Sequence, residues 1–340
     1  MARIIKTNNG IVVANNKAIS VKNYQYADGQ IDEAGLAALG WDAESIGVLR
    51  DNVPHYEWQD SEYQVSAANK ALYGVVNDSN ISTYKTNADM RFCPMFDTSA
   101  RTTMTDMFRN ATQLIAIPKF NTSNITRINA FQGCTELRVV PLLDTSNVTT
   151  FNSAFIRCKK LTTVPQFNTS RVTNFQYTFQ DCNALRMFPR WDFSAATNIS
   201  NMFMYCMALV YVSRMNTRNV TDFQVVFNGC TSLRQVEEID MTSATIALNM
   251  FLGCTYLTDL RIKDGTPLNV TLSLSYANIL SYESIISVLT AASNTTNSNA
   301  KTLTFSRTLT VSQSQKDALD ALIASCGAKG WTISGLSYSV

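Results

Sequence analysis

Seven phenylalanines, Phe108, Phe131, Phe155, Phe179, Phe203, Phe227 and Phe251, follow one another at spacings of 23, 24, 24, 24, 24 and 24 residues. Six residues after each stands a leucine: Leu114, Leu137, Leu161, Leu185, Leu209, Leu233 and Leu257. Three residues after all but the first stands a cysteine: Cys134, Cys158, Cys182, Cys206, Cys230 and Cys254, with Ala111 in the first frame. Nine residues on comes a further apolar side chain: Ile117, Val140, Val164, Phe188, Val212, Val236 and Leu260. Each frame also holds an Asp or Asn that opens a turn: Asp97, Asn121, Asp144, Asn168, Asp192, Asn216 and Asp240. A period of this length means one supersecondary unit per repeat, and no unit buries its apolar face alone. The expected fold is a repeat solenoid of seven coils of about 24 residues.

Within a coil, the Leu-x-x-Val segment predicts a short parallel strand. Pro118, Pro141, Pro165 or Pro189 ends it in four frames. Strands stacked about 4.8 Å apart give a ladder on the order of 35 Å long for seven coils. The Asp/Asn-Thr-Ser openings supply turns in which Asx and hydroxyl side chains bond nearby amides. Stacking turns each inward position into a column. The central columns comprise Phe155, Phe179 and Phe203; Cys158, Cys182 and Cys206; and Leu161, Leu185 and Leu209, with Val164 beside them. A mixed column of Phe120, Leu143, Phe167, Trp191, Met215 and Ile239 precedes the turn.

The cysteines read as small buried hydrophobes. Side by side in adjacent coils they are badly placed for disulfides, and no Cys-x-x-Cys pair occurs. No metal site and no cofactor are expected. With one histidine, His55, in the chain, two-His metal sites are excluded, and that residue reads as packing beside Tyr56 and Trp58. Phosphate-loop, Gly-x-Ser-x-Gly, His-Glu-x-x-His and EF-hand motifs are missing. The pair Glu237-Glu238 reads as solvent-facing. No enzyme is expected. Net charge is +2 with 16% charged residues, which argues against nucleic acid as a partner. No apolar stretch approaches the roughly 18 residues of a membrane span. The charge is uneven: residues 1–90 hold 7 Lys and Arg against 11 Asp and Glu, whereas residues 91–265 hold 17 against 12.

The pattern Ala154-Phe155-x-x-Cys158-x-x-Leu161-x-x-Val164-Pro165, with Asp144-Thr145-Ser146-Asn147-Val148-Thr149, resembles the BspA-type (Treponema-type) leucine-rich repeats. The same variant is seen in mycoplasmal lipoprotein-associated repeats. The resemblance runs from about Asp97 to Asp264, roughly half the chain. It implies a right-handed leucine-rich-repeat coil with a parallel ladder, and surface adhesion or protein recognition without catalysis. The frames depart from it at the short second coil and at Asp240-Met241-Thr242-Ser243-Ala244, where the Asn-Val pair is lost.

Four segments are expected: an N-terminal arm or hairpin over 1–25, a helical N-terminal cap over 26–90, the solenoid over 91–265, and an α/β C-terminal cap over 266–340. Alternation around Asn8-Asn9-Gly10 signals the hairpin. A helix capped by Ser281, a strand at Leu303-Thr304-Phe305, a helix with a Ser314/Asp317 capping box and a strand from Trp331 are expected to cover the last coil.

A solenoid of this kind works through its surface. One outward column should hold Ala116, Val139, Thr163, Met187, Tyr211, Gln235 and Asp259; the other should hold Lys119, Leu142, Gln166, Arg190, Arg214 and Glu238. Met187, Arg190, Tyr211 and Arg214 form the candidate binding face, an aromatic among cations as at recognition hot spots. The recurring sequons at Asn124, Asn147 and Asn219 follow from the repeat. No signal-peptide core follows the first basic residues, so the chain is expected to be made in a cytosol, with no export through the general secretory route and display outside only after lysis. Together with the repeat, this points to a virion protein of a tailed phage of Bacteroidota. It would be a homo-oligomeric fibre or appendage, assembled in the host cytoplasm and attached to other virion proteins through its arm. Its face would bind a host cell-surface glycan or protein. The alternatives are a bacterial cell-surface adhesin and a structural scaffold within a large virion assembly.

Overall fold

The computed structural model describes residues 3–7, 10–14, 20–22, 37, 41–44, 62–64, 93, 98–296 and 299–340. The chain divides into two compact units, residues 1–148 with 154–168, and residues 149–153 with 169–340. In the first, β1 (Arg3–Thr7) pairs antiparallel with β2 (Gly10–Ala14), Thr7 opposite Gly10. This is the pairing expected on either side of Asn8-Asn9. β3 (Ser20–Lys22) pairs antiparallel with β4 (Glu62–Gln64). The helical cap expected over 26–90, and His55, lie outside the described residues, apart from these strands and a few positions. Among those positions, Trp41 is buried and donates from Nε1 to the Cys93 carbonyl at 2.9 Å.

Both units show a repeat fold, with backbone bonds recurring at the sequence period. In the first unit Phe131 N–H donates to the Ala154 carbonyl at 3.0 Å and Gly133 N–H to Ile156 at 2.7 Å. In the second, Phe203 N–H donates to Val226 at 3.0 Å and Tyr205 N–H to Asn228 at 2.7 Å. The phenylalanines stack as the columns require. Phe108, Phe131 and Phe155 follow at 5.4 and 5.3 Å between ring centroids. Phe179, Phe203, Phe227 and Phe251 follow at 5.8, 5.6 and 5.5 Å, with planes within 17° of parallel. The mixed column is buried throughout, Phe120 to Ile239.

The chain turns around six of the seven Phe by entering the left-handed region two residues before it and two after; around Phe131 only the later position, Gly133, does so. Asn201 and Tyr205 have φ of 59° and 61°, and Val225 and Gly229 have 52° and 73°. Short polar residues or Gly fill most of these places, as the sterics of L-residues demand. Glycine is needed at Gly229, where a Cβ would run into the Tyr205 ring one repeat earlier.

The turn residues tie each repeat to the next. Thr122 and Thr145 donate from Oγ1 to the Asp144 and Asn168 carbonyls at 2.8 and 2.9 Å, and Thr169 and Thr217 to Asp192 and Asp240, both at 2.8 Å. Asn147 and Asn219 reach back to the Ser123 and Ser194 carbonyls, each at 2.8 Å. The Asp-Thr-Ser-Asn string is therefore an inter-repeat clamp as well as a local turn.

The strand ladder is shorter than expected. In the second unit β5 (Met187–Phe188), β6 (Tyr211–Val212), β7 (Gln235–Ile239) and β8 (Asp259–Ile262) form a parallel sheet in that order. Where Pro189 ends β5 the strand has two residues; where Glu237 and Arg261 take the proline's place, the strands run to five and four. Proline offers no N–H to a ladder, but its loss alone does not lengthen a strand: with Ser213 in its place β6 still has two residues, and β7 and β8 pair again only at Ile239 and Ile262 after a register shift. A second parallel ladder, legible in no apolar alternation, joins Thr150, Asn174, Asn198, Asp222 and Ile246. Its Asn and Asp side chains bond the amide two residues on, as Asn198 does to Ser200 at 2.8 Å.

Two outward positions need correction. Ala116 and Val139 are buried, 1% and 3% exposed, and Thr163 is half-buried, so the expected outward column opens to water from Met187 on. The side chains agree: Ala and Val where it is buried, Met, Tyr, Gln and Asp where it is not.

Beyond the ladder come β9 (Leu272–Ser273), α1 (Tyr282–Ser293), β10 (Lys301–Thr310), α2 (Gln313–Ala328) and β11 (Trp331–Ser339). The strands are parallel, with β10 in the middle. Leu274, Ala277 and Leu280 repeat the Phe/Cys/Leu spacing in reduced form, and Ala277 N–H donates to the Leu274 carbonyl at 3.0 Å as Cys254 N–H does to Phe251 at 3.1 Å. Ser281 caps α1 as expected. The second capping box is Ser312 with Gln315, two residues before the one expected, because Ser312 is the last extended residue and Ser314 is already helical. α1 closes the edge of the ladder: Ser284 and Ser287 accept from the β8 amides of Leu260 and Ile262 at 2.9 and 3.0 Å. Such cover removes an open edge that another chain could pair with. No helix among the described residues is long and apolar enough to cross a membrane.

Candidate functional site

The face carried by β5–β8 is the candidate site. Parallel register sets Met187 beside Tyr211, Tyr211 beside Gln235, and Gln235 beside Asp259. Alternation turns Phe188, Val212, Val236 and Leu260 into the core and leaves these four side chains outward. Met187 is 63% exposed, a large apolar side chain held in water by a strand that cannot turn it inward. Arg190 and Arg214, each three residues further along, are exposed at the same edge.

Tyr211 is fixed rather than free. Its hydroxyl donates to Glu237 Oε2 at 2.7 Å, and the same oxygen accepts the Arg214 amide at 3.2 Å. Arg214 Nε lies 3.4 Å from Glu238 Oε1. The hydrogen bond from Tyr211, then that from the Arg214 amide, hold the Glu237 carboxyl below its usual range, with Arg214 and Arg190 adding attraction. The same bond to Glu237 raises the Tyr211 hydroxyl. Glu237 is the favoured anion at neutral pH. The contribution of its bonds is present above the normal carboxylate range and is lost as pH falls through the lowered value.

All four expected face residues thus lie along one edge of the second unit. Glu237 and Glu238, read from sequence as solvent-facing, instead organise it. The signal for Glu237 was the loss of proline in its column: Pro118, Pro141, Pro165 and Pro189 give way to Ser213, Glu237 and Arg261. At Glu237 and Arg261 the backbone freed of proline carries a longer strand and a charged side chain on the face; at Ser213 it carries neither.

The cysteine column is structural. Cys134 and Cys158 donate from Sγ to the Phe108 and Phe131 carbonyls at 2.9 and 3.1 Å. Cys206, Cys230 and Cys254 do the same to Phe179, Phe203 and Phe227 at 3.0–3.1 Å. Burial raises the Cys206, Cys230 and Cys254 thiols, Cys254 to about 12 and the other two well above normal. A protonated thiol is a poor nucleophile. All eight cysteines are buried thiols, none in a disulfide. Iodoacetamide at mildly alkaline pH is therefore expected to leave the native protein unmodified and to add eight groups after denaturation; rapid native labelling at the Cys206–Cys254 positions would contradict this.

A family model described as Mycoplasma protein of unknown function, DUF285, matches residues 79–186, 102–211, 126–238 and 186–264, so that its overlapping matches span 79–264. No curated protein matches the chain.

Proposed function

The chain belongs to the family described as Mycoplasma protein of unknown function, DUF285, and on that footing we propose that it is a non-enzymatic recognition protein. Its repeats wind as one right-handed solenoid of seven coils. The working surface is the β5–β8 face. The observation that carries this reading is Met187, 63% exposed beside a Tyr211 whose hydroxyl is tied to Glu237. An exposed apolar side chain next to a rigid aromatic and two cations provides contact area at little cost in side-chain entropy.

The protein serves as a virion component, a fibre or a tail or head appendage. The β1–β2 hairpin attaches it to other virion proteins, copies associate, and the face meets a host cell-surface glycan or protein. The resemblance to BspA-type repeats favours one other reading, a bacterial cell-surface adhesin working through the same face. Labelled protein is expected to bind intact Bacteroidota cells. Met187→Asp, Tyr211→Ala and Arg214→Ala together should weaken that binding at least tenfold while melting stays cooperative and Tm falls by no more than a few degrees. Equal binding by this variant, or binding to no cell, overturns the recognition reading. Absence of the chain from purified particles overturns the virion placement and leaves the adhesin.

A further inference from the structure

Beside the face, the last two rungs and the start of α1 enclose a cleft of about 210 Å³. It is lined by Arg214, Gln235, Glu237, Asp259, Arg261 and Glu283 over a floor of Val236 and Leu260. At about 30 Å³ per water, this is room for roughly seven waters. One six-membered sugar ring fits; a drug-sized ligand, which needs several hundred Å³, does not.

The chemistry of the walls selects among ligands of that size. Two guanidiniums face three carboxylates. An anion would meet the three carboxylates and a cation the two guanidiniums, so a ligand of a single charge is opposed by one set while it is attracted by the other. A hydroxyl is both donor and acceptor, and a ring carrying several vicinal hydroxyls satisfies both signs at once. Some of the groups are fixed in advance: Glu237 by Tyr211 and the Arg214 amide, and Asp259 by the Thr258 hydroxyl at 2.7 Å. Others have bonding capacity to spare. Among the described residues the side chains of Arg261 and Glu283 have no ion pair or hydrogen bond, and both are exposed at the rim. Glu283 sits in the first turn of α1. A peptide anchor would need apolar depth, and Val236 and Leu260 are almost wholly covered, each 1% exposed.

We propose that this cleft binds one neutral saccharide residue of a surface glycan, with Arg261 donating to, and Glu283 and Glu237 accepting from, its ring hydroxyls. The proposal rests on the recognition reading above and names its ligand. The test is saturation-transfer NMR on the full chain with separate D-glucose, D-galactose, D-mannose, sialic acid and N-acetyl-lysine methylamide arms. At least one neutral hexose is expected to receive saturation and to bind in the millimolar range. Arg261→Ala and Glu283→Gln should each weaken it at least tenfold with unchanged Tm. Transfer to no neutral hexose, preference for sialic acid or the lysine derivative, or unchanged affinity in both variants overturns the proposal. If labelled protein still binds cells in that case, the cleft assignment fails alone; if it binds none, the recognition reading fails with it.

Discussion

Trp191→Ala is expected to destabilise the protein by about 4 kcal/mol, among the largest effects of any single truncation in the second unit. Trp191 is 2% exposed and stands at the centre of four aromatic contacts. Its ring centroid lies 5.3 Å from Phe151, 6.1 Å from Phe175, 5.5 Å from Phe179 and 4.9 Å from Phe188. Truncation removes the largest buried apolar side chain there and leaves a cavity that several stacked repeats, each held by backbone bonds to its neighbours, cannot collapse to fill. Phenylalanine at 191 fills part of the space and should recover more than half the loss. Urea unfolding checks this through the midpoint at unchanged slope. A loss below about 1 kcal/mol for the alanine variant would show that the mixed column is not a packed core.

Gly335→Ala is expected to have an effect of similar size for a different reason. Gly335 has φ of 70°, and a Cβ there would run into the Phe305 carbonyl oxygen. Backbone, unlike a flexible side chain, cannot swing aside. The position coincides with the register shift between β10 and β11 after Thr304, so glycine is what lets the bulge form. About 3 kcal/mol is expected from left-handed strain together with lost pairing. Gly327→Ala, in α2 with nothing within 4 Å of its added Cβ, should be neutral or slightly stabilising. Hydrogen exchange checks the location: Gly335→Ala should lower protection in β10, α2 and β11 first, as locally opening units do. Uniform loss across β5–β8 would contradict it.

The columns were legible because burial in a repeat is periodic in sequence. Phe, Cys and Leu at fixed offsets leave few arrangements other than stacked turns, and the mixed column could be read the same way. The Asn174–Asn198–Asp222 ladder was not legible, because its pairing is signalled by polar side chains bonding their own backbone, not by apolar alternation. The outward column could be read only in part: alternation alone places Ala116 and Met187 alike, and only side-chain size and polarity show where water begins. The face residues Met187, Arg190, Tyr211 and Arg214 followed from register. The role of Glu237 did not, since it depends on Tyr211, 26 residues away, and on a proline that is no longer there. The degenerate set Leu274, Ala277 and Leu280 escaped because the spacing survives there with aliphatic residues in place of Phe and Cys.

Side chains and backbone bonds that match at a fixed interval hold the repeats together, and shortening the chain tests that most directly. Deleting residues 199–222, which is 24 residues, joins Asn198 to Phe223 and brings every column back into line. Deleting residues 199–210 removes half as many and sets Phe, Cys and Leu against turns. The first variant is expected to fold, with cooperative melting at a somewhat lower Tm and the far-UV circular dichroism of the parent. The second is expected to lose cooperative melting. Equal behaviour of the two deletions, folded or unfolded, would contradict it.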